Sequence, residues 1–160
     1  MKYFQHSTSI VETEDIGEGT KVWAFSHVCR GSKIGKNCVI GEGVYIGPGV
    51  KIGNFVKIQN HSLIYEGVTI EDNVFIGPNV VTTNDIMPRA KGNWSERFQK
   101  TLIKKGASIG ANSVIVCGNT LGENCMVGAG SVVTKDVEGN SLVFGNPARK
   151  NGEVKDASSN

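Results

Sequence analysis

The chain has 160 residues, about one domain's length, and carries 17 Lys+Arg against 15 Asp+Glu for a formal charge of +2. That balance lacks the basic excess of a dedicated nucleic-acid binder, and no apolar run approaches the roughly 18 residues that would cross a membrane. Twenty-one glycines accompany only 4 prolines, which excludes collagen and Pro/Gly-rich disorder and leaves the glycines to be explained by periodicity.

The N-terminal stretch MKYFQHSTSI has no apolar core of a signal peptide, so a cytoplasmic location is expected. The cysteines, Cys29, Cys38, Cys117 and Cys125, form no CxxC pair. Reduced thiols are the favoured reading over a disulfide framework or a zinc site.

From Ile10 onward every sixth residue is Ile or Val: Ile10, Ile16, Val22, Val28, Ile34, Ile40, Ile46, Ile52, Ile58, Ile64, Ile70 and Ile76. The column lapses after Val81 and returns at Ile103, Ile109, Ile115, Leu121, Val127 and Val133. Three residues after most of these aliphatics stands Gly or Asn, for example Gly19, Asn37, Gly43, Asn73, Gly106 and Asn124. These two residue types take a positive φ in a tight turn most readily. Four residues after the aliphatic stands a small or β-branched residue, such as Thr20, Ser32, Val44 or Val68. Each hexad therefore predicts a short strand and a corner. Three hexads close a triangular coil, and the aliphatic column stacks into a continuous core while backbone groups pair between coils about 4.8 Å apart. The expected fold is all-β, a parallel β-helix of about six 18-residue coils, in a single domain 1–160. Its blocks are 4–81 and 103–149, with an insertion between them and a polar tail, 150–160, expected to be disordered.

Three irregularities interrupt the repeat, and function tends to sit at such places. In VWAFSH, residues 22–27, Trp23 and Phe25 replace small residues; they either stack on a ligand ring or pack against the N-terminal cap or a neighbouring subunit. In IQNHSL, residues 58–63, Asn60 and His61 occupy a corner that is Gly or Asn elsewhere and are candidate substrate contacts. The 21-residue insertion Thr82–Leu102 leaves from the middle of the solenoid, and segment 85–105 carries a net charge of +4, suited to a phosphate-bearing ligand. The coil period of 18 stacks Glu66 and Asn84 on one edge beside this insertion, two acceptors suited to an amine.

The runs IGEGVY–IGPGVK–IGNFVK and IGANSV–IVCGNT–LGENCM–VGAGSV resemble the hexapeptide-repeat family. The resemblance implies a left-handed coil, which could not be derived otherwise because ordinary parallel crossovers are right-handed. Many members are acyl-CoA-dependent acyltransferases, and VGAGSVVTKDVEGNSLVFGNPAR, residues 127–149, looks like their CoA-binding end. It implies acetyl-CoA contacts at Ala111, Ala129, Thr134, Lys135 and Arg149, with Lys104, Lys105 and Gly106 added from TLIKKGASIGAN. Ala111 and Ala129 stand 18 apart, so small side chains would line one track for the pantetheine arm, and Lys135 and Arg149 would meet phosphates.

Within the family, VWAFSHV, KIQNHSLIYEGVTIEDNVFIGPNVVTTND and PRA resemble N-acetyltransferases of nucleotide-linked 3-amino sugars, dTDP or UDP. That likeness implies Glu66 and Asn84 as catalytic residues, Asp85 and Arg89 as further substrate contacts, no metal cofactor, and a homotrimer. The histidines are His6, His27 and His61, with none in or after the insertion. An alcohol acceptor needs a base, whereas an amine can attack a thioester through positioning alone, so His61 is the one candidate base and is assigned to binding or structure. Two alternatives are a non-catalytic scaffold and a zinc hydratase of the γ-carbonic anhydrase type. The first leaves the basic insertion unexplained; the second needs three converging histidines, whereas His27 and His61 differ in hexad position and His6 precedes the repeat.

Overall fold

The computed structural model describes residues 3–93 and 95–155. It is a parallel β-solenoid whose strands are mostly two residues long. One face stacks Phe4–Gln5, Lys21–Val22, Val39–Ile40, Lys57–Ile58, Phe75–Ile76, Ser108–Ile109, Met126–Val127 and Ser141–Gly145. A second face stacks Ile10–Val11, His27–Val28, Tyr45–Ile46, Leu63–Ile64, Val81–Thr82, Val114–Ile115 and Val132–Val133. The third stacks Lys33–Ile34, Lys51–Ile52, Val68–Ile70, Thr101–Ile103 and Thr120–Leu121, and isolated bridges Ile16↔Ile34 and Leu121↔Val137 extend it at both ends.

The aliphatic column is the core: Val22, Val28, Ile40, Ile46, Ile58, Ile64, Ile76, Ile103, Ile109, Ile115 and Leu121 are all fully buried. The small residue four positions later forms a second buried column. Where it is polar it is satisfied by a repeated hydrogen bond to a carbonyl one coil on. Thr20 Oγ1 donates to Gly35 O (2.8 Å), Ser26 Oγ to Gly41 O (2.7 Å) and Ser62 Oγ to Gly77 O (2.8 Å). Each such bond is worth about 1 kcal/mol net, and an unpaired hydroxyl there would cost about 1–3 kcal/mol. The corners behave as the spacing predicts: Gly19, Asn37, Gly43, Asn73, Gly106 and Asn124 all have positive φ. All four cysteines are free and buried; burial pushes the Cys125 thiol up to about 11 and raises that of Cys38, which suits inert core thiols at those two positions.

Four sequence expectations are corrected. The solenoid has eight rungs on its longest face instead of about six coils, because the terminal rungs fall outside the strict period of six. At the N-terminal end the core phase belongs to Val11, which pairs with Val28, while Ile10 pairs with His27 and is 58% exposed. The short step from Val11 to Ile16 then restores the column. The insertion is also shorter than read. Thr82 pairs with Ile115 and is fully buried, its hydroxyl accepting Tyr65 N–H (2.9 Å), so it holds a core position that an Ile/Val count misses. Ile70 pairs with Ile103, 33 positions on, where Ile52 and Ile70 are 18 apart, so 15 residues are added. Finally, Ala148–Glu153 is not disordered: it turns back antiparallel on Ser141–Gly145, and Lys150 Nζ pairs with Glu138 (2.9 Å) and Glu153 (2.8 Å). Residues 156–160 of the expected tail lie outside the described residues.

Candidate functional site

The corners of successive coils line up into three edges, separated by at most about 20 Å, the reach of six extended residues. The edge between the second and third faces carries Glu66 and Asn84. The Leu63↔Val81 register sets these two residues one rung apart, Glu66 exposed and Asn84 half-buried. The chain departs here and returns through a short neck: Asn84 O accepts Gln99 N–H at 2.9 Å, and Asp85 bridges Phe98 antiparallel. Thr83 Oγ1 accepts Cys117 N–H (3.0 Å) and Gly67 O accepts Thr101 N–H (3.1 Å), so both ends of the loop are tied to neighbouring coils. Asn84 is therefore held by rigid backbone on a coil edge.

Asp85, read as a substrate contact, is a loop clamp. Its side chain is 9% exposed, Oδ2 takes Arg97 Nε at 3.0 Å and lies 3.0 Å from Nη2, and Oδ1 accepts Met87 N–H at 2.8 Å. Arg89 is exposed and donates to Pro88 O (2.8 Å). Asn84, Asp85, Pro88, Arg89, Ala90 and Phe98 together line a cavity of about 310 Å³. The roles of Arg97 and Phe98 are not legible in the sequence, because a salt bridge across a loop neck has no periodic signature. The pairing of Tyr45 and Tyr65, ring centroids 5.5 Å apart, escapes sequence reasoning for the same reason. The Tyr45 hydroxyl is pushed up to about 12 by its hydrogen bond with Cys29 and then by burial, with a smaller contribution from the nearby Glu66 charge.

The edge between the first and second faces carries Asn60, His61, Ala111 and Ala129. Asn60 Oδ1 accepts Glu42 N–H at 3.1 Å, a corner-to-corner tie, and the residue lines a cavity of about 480 Å³ with His6, Trp23 and Gln59. His61 has φ 59° and its imidazole lies across Gly43, where an added Cβ would clash with Nδ1. Trp23 packs against Phe4, ring centroids 5.5 Å apart, whereas Phe25 stays exposed with φ 56°. Ala111 and Ala129 occupy adjacent rungs, with Gly130 N–H donating to Ala111 O at 2.8 Å. Thr134, Lys135 and Arg149 meet at the C-terminal end around a cavity of about 320 Å³, joined by Lys150 and by the acidic Asp136 and Glu138.

The third edge holds Lys104, Lys105 and Gly106. Lys105 N–H donates to Glu71 Oε2 at 2.9 Å, and Gly106 takes φ 73° under Asn124. One protomer thus gathers Asn84, Asp85 and Arg89, separately gathers Thr134, Lys135 and Arg149, and leaves Asn60, His61 and Lys104–Gly106 on other edges.

Comparison with known proteins fits this architecture. The family described as bacterial transferase hexapeptide (six repeats) matches residues 15–48, 49–84 and 100–135. The dTDP-3-amino-3,6-dideoxy-alpha-D-galactopyranose 3-N-acetyltransferase of Aneurinibacillus thermoaerophilus is 55% identical over 151 residues, covering 94% of this chain and 78% of that protein. Among solved structures, a galactoside acetyltransferase in complex with coenzyme A superposes with a TM-score of 0.69 at 30% identity, over 79% of this chain and 66% of that one. A mutant of AntD, an N-acyltransferase from Bacillus cereus, solved in complex with dTDP and coenzyme A, shares the fold. Its TM-score is 0.73 at 20% identity, over 96% of this chain and 84% of that one. The chain belongs to the bacterial transferase hexapeptide family, whose repeats imply the left-handed form of the β-helix.

Proposed function

We propose that this member of the hexapeptide family transfers the acetyl group of acetyl-CoA to the 3-amino group of a nucleotide-linked amino sugar, with thymidine favoured as the base. The observation that carries the reading is 55% identity, along 94% of the chain, to an enzyme named for that reaction. The amine nitrogen attacks the thioester carbonyl carbon, the C–S bond breaks, and the ammonium proton passes to the departing thiolate, giving amide and free CoA. Asn84 and Glu66 orient the amine and a neighbouring hydroxyl. Neither side chain is engaged in a hydrogen bond among the described residues, so both have acceptors to offer. No histidine lines the Asn84 cavity, which agrees with a reaction driven by positioning.

Lys135 and Arg149 at the C-terminal cavity supply fixed charge for CoA phosphates, and Lys135 makes no ion pair among the described residues. Ala111 and Ala129 leave room for the pantetheine arm. Because Ala111 and Ala129 lie on the edge between the first and second faces and Asn84 on the edge between the second and third, a working site needs edges of two solenoids side by side. The outward column of the second face supports a homotrimer: Ile10, His27, Tyr45, Leu63, Val81, Val114 and Val132 include no Lys, Asp or Glu. The outward columns of the other faces carry Lys21 and Lys57, or Lys33 and Lys51. No helix among the described residues is long and apolar enough to cross a membrane, and a cytoplasmic location suits both co-substrates.

The test is a panel of dTDP- and UDP-linked amino sugars incubated with acetyl-CoA, following free thiol. Turnover is expected with a dTDP-linked 3-amino-3,6-dideoxyhexose. Silence with every 3-amino sugar would overturn the reading.

A further inference from the structure

We propose that Glu12, His27 and Cys29 form a zinc(II) site that clips the first coil of the solenoid to the second. The inference is independent of the acetyl-transfer chemistry. The three residues sit on adjacent rungs of the second face: Ile10 pairs with His27 and Val11 with Val28, so Glu12 falls opposite Cys29. Glu12 N–H donates to Val28 O at 2.9 Å, and Val28, between the two other ligands, is fully buried in the core. The backbone thus fixes all three positions before any ion arrives.

The two separations that involve His27 are close to those of a tetrahedral site. Zinc bonds of roughly 2.0–2.1 Å to nitrogen and oxygen and 2.3 Å to sulfur set N and O about 3.3–3.5 Å apart and N and S about 3.5–3.6 Å apart. Here His27 Nε2 is 3.3 Å from Glu12 Oε2 and 3.8 Å from Cys29 Sγ, and all three donors lie within 4.8 Å of one another. One imidazole nitrogen faces both a carboxylate and a thiol, and a single N–H can point at only one of them. An ion among the three satisfies them all.

The chemistry of the set is suitable: thiolate, imidazole and carboxylate are all zinc ligands, and the thiolate and carboxylate together balance the dipositive charge. Binding releases the Cys29 thiol proton to solvent. Cys29 is 6% exposed, whereas the side chains of His27 and Glu12 are 39% and 43% exposed on the single chain, so the fourth position opens on the outer surface of the second face, for water or for a neighbouring protomer. The Tyr45 ring packs edge-on to His27 with centroids 5.8 Å apart, supporting that ligand from the next rung. Arg30 N–H donates to Glu12 Oε2 at 3.3 Å and steadies the third. The ion would stabilise the end of the solenoid where the core phase slips at Ile10.

The test uses the full chain, stripped with a chelator and titrated with cobalt(II) and then zinc(II). One cobalt ion per chain is expected, with the visible absorption of a tetrahedral ion and a thiolate-to-cobalt charge-transfer band that zinc abolishes. Zinc should also raise the melting temperature of the stripped protein. Cys29→Ser should lose the charge-transfer band, and Glu12→Gln should lose the zinc-dependent rise in melting temperature while keeping the circular dichroism of the parent. Should Cys29→Ser fail to fold, the exposed Glu12→Gln change carries the decision alone. An octahedral cobalt spectrum without the band, persistence of the band in Cys29→Ser, or a zinc response unchanged in Glu12→Gln would overturn the site.

Discussion

Asn84 and His61 are both polar corner residues, yet the physical argument assigns them different work. Asn84 is pinned by its own backbone, with its carboxamide free at the mouth of the inserted loop. Removing an orienting hydrogen bond at the reacting amine costs about 1–3 kcal/mol, on the order of 5- to 150-fold in rate. Asn84→Ala is expected to lower kcat/KM for the amino sugar by that factor and to leave acetyl-CoA affinity unchanged; Glu66→Gln should act in the same direction. His61 instead sits at φ 59°, a left-handed conformation that costs a non-glycine residue about 1 kcal/mol. His61→Gly relieves that strain but adds chain entropy of similar size, so the melting temperature should stay within about 2–4 °C of the parent while turnover is retained. If His61→Gly instead cut the rate sharply and the residual activity lost the rising limb of its pH–rate profile, a histidine base would replace the positioning mechanism.

At the scale of elements, the inserted loop and the C-terminal end are each closed by one polar device. Arg97 neutralises a nearly buried Asp85 at the loop neck. Arg97→Ala leaves that carboxylate unpaired, which favours opening of the loop, not loss of the solenoid, because each coil contacts mainly its neighbours. Limited proteolysis should therefore cut within 83–100 faster than in the parent, KM for the sugar should rise, and the main thermal transition should stay within a few degrees. The edge of Ala111 and Ala129 allows a complementary test. Ala129 is exposed on its corner, so Ala129→Phe should fold normally. It should block CoA, read as loss of the CoA-induced rise in melting temperature; a surviving rise would move the pantetheine track elsewhere.

For the molecule as a whole, the outer column of the second face, apolar from Leu63 to Val132, has no counterpart on the other two. A homotrimer of 17.1 kDa chains should sediment at three times the chain mass. Val114→Lys places a charge between Val81 and Val132 on that face. Being outside the core, it should leave the coil folded, shift the particle toward monomer and remove activity along with assembly. A wild-type particle at the mass of one chain would contradict the interface.

The sequence by itself determined the solenoid, because an inward Ile or Val every six residues and a Gly or Asn three later are local demands of burial and of positive φ. Each can be read without knowing its neighbours. It also placed Glu66 beside Asn84, since a coil of fixed length converts a spacing of 18 into contact between rungs. Only the tertiary structure decided that Thr82 continues the core, that Val11 displaces Ile10, and that residues 148–153 form a strand. In each case a partner strand supplies the hydrogen bonds that override composition. It alone showed that Asp85 is consumed by Arg97, and that Glu12 meets His27 and Cys29. Those encounters depend on how coils one rung apart, or the two ends of a loop, are laid against each other in space.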